Sequence, residues 1–303
     1  MRVPSEVPGD IKLSPTGWSE RLRRYALLVR LHRPIGILLL LWPTLWALWI
    51  AGAGTPAWGM VLIFCLGVAI MRSAGCAIND YADRDFDGHV ARTHDRPIAS
   101  GLVAPGEAIG VFLALSLLAA SLLLFLNWPT RFMSLVALGL TTLYPFMKRY
   151  THLPQLVLGA AFGWAVPMVF TALTGHLPLE AWLMFLSAVI WALIYDTQYA
   201  MVDREDDLKI GVKSSAILFG RHDNFIIGLL QLLMMGLLVA IGLLAERGLF
   251  YNLGLAAGAV LFVYQQWLTR DRQPQACFQA FMNNNSFGLV VFLGLVLDYA
   301  AGV

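Results

Sequence analysis

The chain has 303 residues, 58% of them hydrophobic and only 13% charged, with a mean hydropathy of +0.68 and a formal net charge of +2. A soluble domain carries about 25% charged residues, so the composition excludes two soluble domains and points to one polytopic, all-α bundle in a membrane. Nothing in the charge balance points to a nucleic-acid partner.

The chain opens with Arg2, Lys12, Arg21, Arg23, Arg24, Arg30 and Arg33 and has no early apolar stretch. It does not read as a cleaved signal peptide. Residues 1–34 are expected to form a basic cytoplasmic segment, and residues 35–303 the membrane domain. Nine apolar stretches follow, near 35–52, 58–79, 107–126, 132–148, 155–174, 180–200, 224–245, 250–268 and 281–300, predicting nine transmembrane helices. The breaks carry turn chemistry, as in Gly52-Ala53-Gly54-Thr55-Pro56 and Asn127-Trp128-Pro129. The ninth stretch is the weakest, because it opens on Asn283-Asn284-Asn285. Cys65, Cys76 and Cys277 lack metal-ligand spacing and read as small buried side chains.

Basic residues collect in alternate loops: Arg84, Arg92 and Arg96; Lys148 and Arg149; Arg204, Lys209, Lys213 and Arg221; Arg270 and Arg272. The opposite side keeps Arg131 and Arg247. The positive-inside rule therefore places the N-terminus and these loops in the cytoplasm. Arg72 falls inside the second span.

Acids gather on the same side. The second span runs into Asn79-Asp80-Tyr81-Ala82-Asp83-Arg84-Asp85-Phe86-Asp87. If the helix continues, Asn79, Asp83 and Asp87 share one face at i, i+4 and i+8. The sixth span runs into a second motif, in which Asp196, Tyr199, Asp203 and Asp207 share a face. Four spans separate the motifs, which suggests an internal pseudo-repeat. Like charges at i, i+4 repel, and ionisable groups at membrane depth are costly. Such stripes require a compensating cation, and hard oxygen donors suit Mg²⁺ or Ca²⁺ with phosphate completing the shell. Arg96, Lys148, Arg149 and Lys213 are candidates to bind diphosphate oxygens. Tyr144 shares a face with Lys148 at i, i+4.

With these motifs the sequence resembles the UbiA family of membrane prenyltransferases. The family pairs an Asn-Asp-x-x-Asp-x-x-x-Asp motif, here Asn79, Asp80, Asp83 and Asp87, with a second Asp-x-x-x-Asp, here Asp203 and Asp207. Four stretches carry a closer likeness to members acting on 4-hydroxybenzoate: RLHRPIGILLLLWPTLWALW from Arg30, NDYADRDFDGHVARTHDRP from Asn79, YPFMKRYTHLPQ from Tyr144 and DTQYAMVDREDDLKIGVKS from Asp196. The resemblance implies a nine-helix bundle whose site opens to cytoplasm and lipid, dependence on Mg²⁺ and a role in ubiquinone biosynthesis. The substrates it implies are a polyprenyl diphosphate and 4-hydroxybenzoate. It also implies that Lys148 or Arg149 touches the diphosphate.

On that basis Asp83 and Asp87 are expected to hold one Mg²⁺ and Asp203 and Asp207 another, with Asn79 and Asp80 as further ligands or their supports. Asp196 or Tyr199 would orient the phenol or take a proton. Arg33 or Arg72 would bind the acceptor carboxylate. Two other readings remain open: a family member with another aromatic acceptor, and a cation-coupled transporter using paired intramembrane carboxylates. A transporter should carry those acids near the bilayer midplane on broken helices, whereas here they close long apolar stretches.

Overall fold

The computed structural model describes residues 17–85, 87–89, 93–211 and 213–302, so Arg2, Lys12 and Arg92 lie outside the described residues. These contain twelve α-helices and no strand. In chain order they are α1 (Trp18–Leu28), α2 (Ile35–Ala51), α3 (Trp58–Asp83), α4 (Pro105–Leu122), α5 (Trp128–Leu143), α6 (Pro154–Gly163), α7 (Ala165–Thr174), α8 (Leu179–Ile210), α9 (Ser215–Phe219), α10 (Asp223–Leu244), α11 (Leu249–Thr269) and α12 (Pro274–Ala300).

Every predicted span is helical. Six stretches among the described residues are long and apolar enough to cross a bilayer: Trp58–Asp83, Pro105–Phe125, Pro154–Thr174, Leu179–Lys209, Ser215–Leu244 and Pro274–Ala300. The helix Ile35–Ala51 is apolar but short. Helix α5 has 16 residues and gives way to a 3₁₀ turn over Tyr144–Arg149. Pro145 near the start of that turn has no amide proton to continue the α-helical ladder.

Proline and glycine set the other boundaries. Pro105, Pro129, Pro154 and Pro274 stand in the first turns of α4, α5, α6 and α12, where a missing N–H costs nothing. The Asn127 side chain caps α5 by accepting from the Thr130 amide. Gly175 and Gly211 end α7 and α8 with φ of +76° and +73°, the left-handed turn that glycine adopts without strain. The fifth predicted span divides into α6 and α7. Pro167 accounts for the break, because its ring opposes the carbonyl four residues earlier, at Gly163, where α6 stops.

Helix α12 starts before the three asparagines and runs through them. Their polarity is absorbed between helices. Asn283 accepts from Gln265, Asn284 accepts from Trp191 and donates to Gln198, and Asn285 accepts from Trp42. Gln231 also donates to Gln265, which ties α8, α10, α11 and α12 together. In lipid such bonds and close packing, rather than water exclusion, hold helices together. Helices α11 and α12 approach closely at Gly254 and Gly294, where an added Cβ would lie 2.9 Å and 2.8 Å from the carbonyls of Val290 and Phe250. The core centres on Trp42, Trp46, Trp191, Phe262 and Phe287, while Leu117, Leu124, Leu232, Leu243 and Val263 face outward, as a lipid solvent permits.

The described part of the basic N-terminal segment packs onto the bundle. Leu28 is fully buried against Ala74, Ala77 and Ile78 of α3 and Ala108 and Phe112 of α4. The turn that follows holds Arg30 at φ +57°, an uncommon conformation for a side-chain-bearing residue.

Candidate active site

The C-terminal ends of α3, α5 and α8 and the N-terminal end of α2 meet at one end of a cavity of about 1540 Å³. Its polar end is lined by Asn79, Asp83, Asp87, Arg96, Lys148, Asp196, Tyr199, Asp203, Asp207 and Lys213, with Arg33, Arg72 and Tyr144. Its apolar end is lined by Leu122 at the end of α4, Leu123 just after it, and Leu135, Ala137 and Leu138 of α5. Helix α4 packs on α3, and α5 packs on α6 and α7, with this apolar part between them.

The first acidic motif departs from the predicted continuous helix. Helix α3 ends at Asp83, and Asp87 opens a separate 3₁₀ turn over Asp87–His89. Helical register therefore does not bring Asp87 to Asp83; Arg96 does. Its Nη1 lies 2.8 Å from Asp87 Oδ2, 3.5 Å from Asp83 Oδ2 and 3.7 Å from Asp80 Oδ1. Thr93 Oγ1 donates to the Asp87 carbonyl at 2.9 Å and holds the returning loop. Asp83 also pairs with Lys148 and accepts from Asn79 Nδ2 at 3.1 Å. Burial raises the Asp87 pKa above the ordinary carboxylate value, opposed by Arg96 and reinforced by Asp83.

Asp80 does not line the cavity. Arg30 Nη2 meets its Oδ1 at 2.5 Å, with the Asp80 side chain fully buried. Arg149 also stands outside the cavity lining. Its Nη2 donates to the Ala82 carbonyl at 2.5 Å, placing positive charge on the C-terminal end of α3, where the helix dipole favours it. Arg72 lies in the membrane span against Cys76, and its buried Nε has no hydrogen-bond partner. Helix α2 can approach there because residue 36 is glycine; a Cβ would come within 2.4 Å of the guanidinium. On α8, Tyr199 packs on Phe281 at 4.8 Å between ring centres. Lys213 Nζ donates to the Tyr150 carbonyl at 3.4 Å, and Arg33 is exposed at the mouth.

The sequence profile of the UbiA prenyltransferase family matches residues 40–287. The chain belongs to the UbiA prenyltransferase family. A protein of Alkalilimnicola ehrlichii named 4-hydroxybenzoate octaprenyltransferase is 60% identical over 283 residues, 93% of this chain and 97% of its own length. The apo structure of a UbiA homolog from Aeropyrum pernix K1 matches with a TM-score of 0.76 at 23% identity, over 86% of this chain and 97% of that one. A UbiA homolog from Archaeoglobus fulgidus bound to GPP and Mg²⁺ matches with a TM-score of 0.65 at 18% identity, over 88% and 99%. The chain thus has the all-helical membrane UbiA fold.

In this UbiA chain both acidic helix ends open into one space, as a shared ligand requires. No group of three His, Cys, Asp or Glu side chains among the described residues is gathered as a ready metal cluster; Lys148 and Arg96 occupy the oxygens of Asp83 and Asp87 instead. The residues nonetheless fit a hard divalent cation. The donors are carboxylate and carboxamide oxygens, and the buried Asp83 Oδ1 has no hydrogen-bond partner, an arrangement that is costly unless a cation completes it.

Two cavity-lining residues escaped the sequence reading. Arg30 looked like one more positive-inside anchor among seven N-terminal cations, and only its ion pair with Asp80 distinguishes it. Gln155 lines the cavity at 2% exposure with an unpartnered Oε1. Its only signal was its place at the end of the YPFMKRYTHLPQ stretch.

Proposed function

We propose that this chain is an Mg²⁺-dependent 4-hydroxybenzoate polyprenyltransferase of ubiquinone biosynthesis. It joins the polyprenyl chain of a polyprenyl diphosphate to the ring carbon ortho to the hydroxyl, giving 3-polyprenyl-4-hydroxybenzoate and diphosphate. The observation that carries this reading is the single cavity with carboxylates from α3 and α8 at its polar end and an apolar channel between α4 and α5 at the other. The first suits a diphosphate head and the second a lipid chain. The 60% identity to the A. ehrlichii protein supports the acceptor.

Asn79, Asp83 and Asp87 on one side and Asp203 and Asp207 on the other would hold Mg²⁺, with Asp80 fixing α3 from behind. When bound, the metal supplies positive charge that stabilises the departing diphosphate. Arg96, Lys148 and Lys213 bind diphosphate oxygens, while Arg149 holds the end of α3. Arg72, partly buried in the cavity wall, takes the acceptor carboxylate, with Arg33 guiding entry at the mouth. The prenyl C–O bond breaks, its electron pair leaves with diphosphate, and the ortho carbon forms the new C–C bond. Asp196 takes the displaced ring proton, while Tyr144 and Tyr199 pack beside the ring. Nine helices cross a bacterial inner membrane in this reading, with the N-terminus and the site on the cytoplasmic side.

The test is incubation of membranes with labelled 4-hydroxybenzoate and a set of prenyl diphosphates, with and without Mg²⁺. Prenylated product that requires both donor and metal is expected. Its absence, with product appearing instead from a naphthoate or homogentisate acceptor, would reassign the substrate within the family.

A further inference from the structure

Five carboxamide side chains are buried among the described residues: Gln155, Gln198, Gln231, Gln265 and Asn284. Four are held by hydrogen bonds to other carboxamides or to Trp191. Gln198 accepts from Asn284, Gln231 donates to Gln265, Gln265 accepts from Gln198, and Asn284 accepts from Trp191. Gln155 is the exception, with Oε1 buried and without a partner. Buried carbonyl oxygens are retained unpaired at a cost, and a site that a ligand completes is one setting in which that cost is recovered.

The helix packing locates this oxygen. Where Gly163 of α6 meets α8, an added Cβ would touch Phe185 and Ala188; at Gly159 it would touch Val189 and Ala192. Four residues back along α6 correspond to four residues forward along α8, so the helices run antiparallel in register. One turn further, Gln155 comes level with Leu193 and Asp196. Asp196 lines the same cavity, and so do Arg72, Tyr144 and Tyr195. Gln155 thus stands in the part of the cavity assigned here to the aromatic acceptor.

An aromatic hydroxy acid presents two handles. Its carboxylate requires a cation, which Arg72 supplies. Its neutral hydroxyl requires an acceptor that does not add charge, which a carboxamide oxygen supplies. A hydroxyl donating to a neutral amide keeps its proton and pushes electron density into the ring, favouring attack by the ortho carbon. We propose that Gln155 accepts a hydrogen bond from the ring hydroxyl of the aromatic acceptor and so selects phenolic acids over acids that lack this donor. The proposal rests on the prenyltransferase reading and adds an acceptor-specificity residue to it.

The experiment compares wild type with Gln155→Met, which matches the side chain in length and removes the amide. KM is measured for 4-hydroxybenzoate and for the prenyl diphosphate, along with the inhibition constant of 4-methoxybenzoate, whose oxygen cannot donate. Loss of one buried hydrogen bond corresponds to roughly a tenfold change in affinity. In wild type 4-methoxybenzoate should bind about tenfold more weakly than 4-hydroxybenzoate. In Gln155→Met the KM for 4-hydroxybenzoate should rise about tenfold, the inhibition constant and donor KM should hold within about twofold, and the preference should vanish. A wild type that does not distinguish the two acids overturns the proposal without any variant, so a misfolded variant does not protect it. Wild-type turnover of 4-hydroxybenzoate with an unaltered Gln155→Met acceptor KM overturns the assignment alone. Failure of wild type to prenylate 4-hydroxybenzoate overturns the underlying reading as well.

Discussion

Replacing Arg30 with methionine tests whether the N-terminal turn is part of the catalytic architecture. Arg30 Nη2 meets Asp80 Oδ1 at 2.5 Å, and the Asp80 side chain has no exposed surface. The second Asp80 oxygen has no partner even with Arg30 in place. Breaking a buried ion pair from one side costs about 3–5 kcal/mol, because a charge is left uncompensated. Arg96 Nη1 remains 3.7 Å from Asp80 and offsets part of this, so the loss should sit near the lower end, at about 3 kcal/mol. Adding Asp80→Asn removes the stranded charge and should restore most of that stability, giving a coupling of about 2 kcal/mol in the double-mutant cycle. Thermal unfolding in detergent, followed by monodisperse protein after heating, reads both effects. A single Arg30→Met variant as stable as wild type, or no recovery on adding Asp80→Asn, would refute the argument.

Asp83→Asn, Asp87→Asn, Asp203→Asn and Asp207→Asn should each lower kcat by about 100-fold or more, a loss on the scale of removing one preorganised electrostatic group. Turnover should vanish with a chelator and return with Mg²⁺; near-normal rates in all four folded variants would sink the shared-metal reading. Gly36→Ala inserts a methyl group 2.4 Å from the Arg72 guanidinium and should raise the acceptor KM while sparing the donor KM, which steady-state kinetics with each substrate varied in turn resolves. Asp223 is fully buried between Arg272 at 2.7 Å and Arg204 at 3.3 Å, so Asp223→Asn should lower the unfolding temperature. Because Arg204 adjoins Asp203, it should also weaken prenyl diphosphate binding, measured as donor KM.

The general plan was legible in the sequence because a bilayer constrains it strongly. Apolar stretches become helices wherever backbone groups must satisfy one another, and proline and glycine marked most of the turns. The differences have local causes. Pro145 and Pro167 interrupt helices inside stretches whose hydropathy looks continuous. The asparagines of α12 look like a loop until Trp42, Trp191, Gln198 and Gln265 arrive from other helices to satisfy them. The same limit applied at the site. Spacing identified Asp83 and Asp87 as partners, yet the helix ends between them and Arg96, from a later loop, brings them together. No periodicity reports such a contact.

Charge explains why the acids were visible and their pairing was not. Asp83, Asp87, Asp95, Asp196, Asp203 and Asp207 line the cavity, and so do Arg30, Arg33, Arg72, Arg96, Lys148 and Lys213. A polar end that balances its charges is affordable beside lipid, whereas a bare acidic stripe is not. Arg96 and Lys148 therefore have two sets of partners available: the motif carboxylates, which they hold in this structure, and the oxygens of a diphosphate. Drawing them toward a diphosphate would strip Asp83 and Asp87 of compensation unless divalent cations took their place. Linkage then requires donor and metal to strengthen each other's binding. The close mixture of acids and bases, which resembles ordinary salt bridging in a linear sequence, is what makes the site stable without its ligands and receptive to them together.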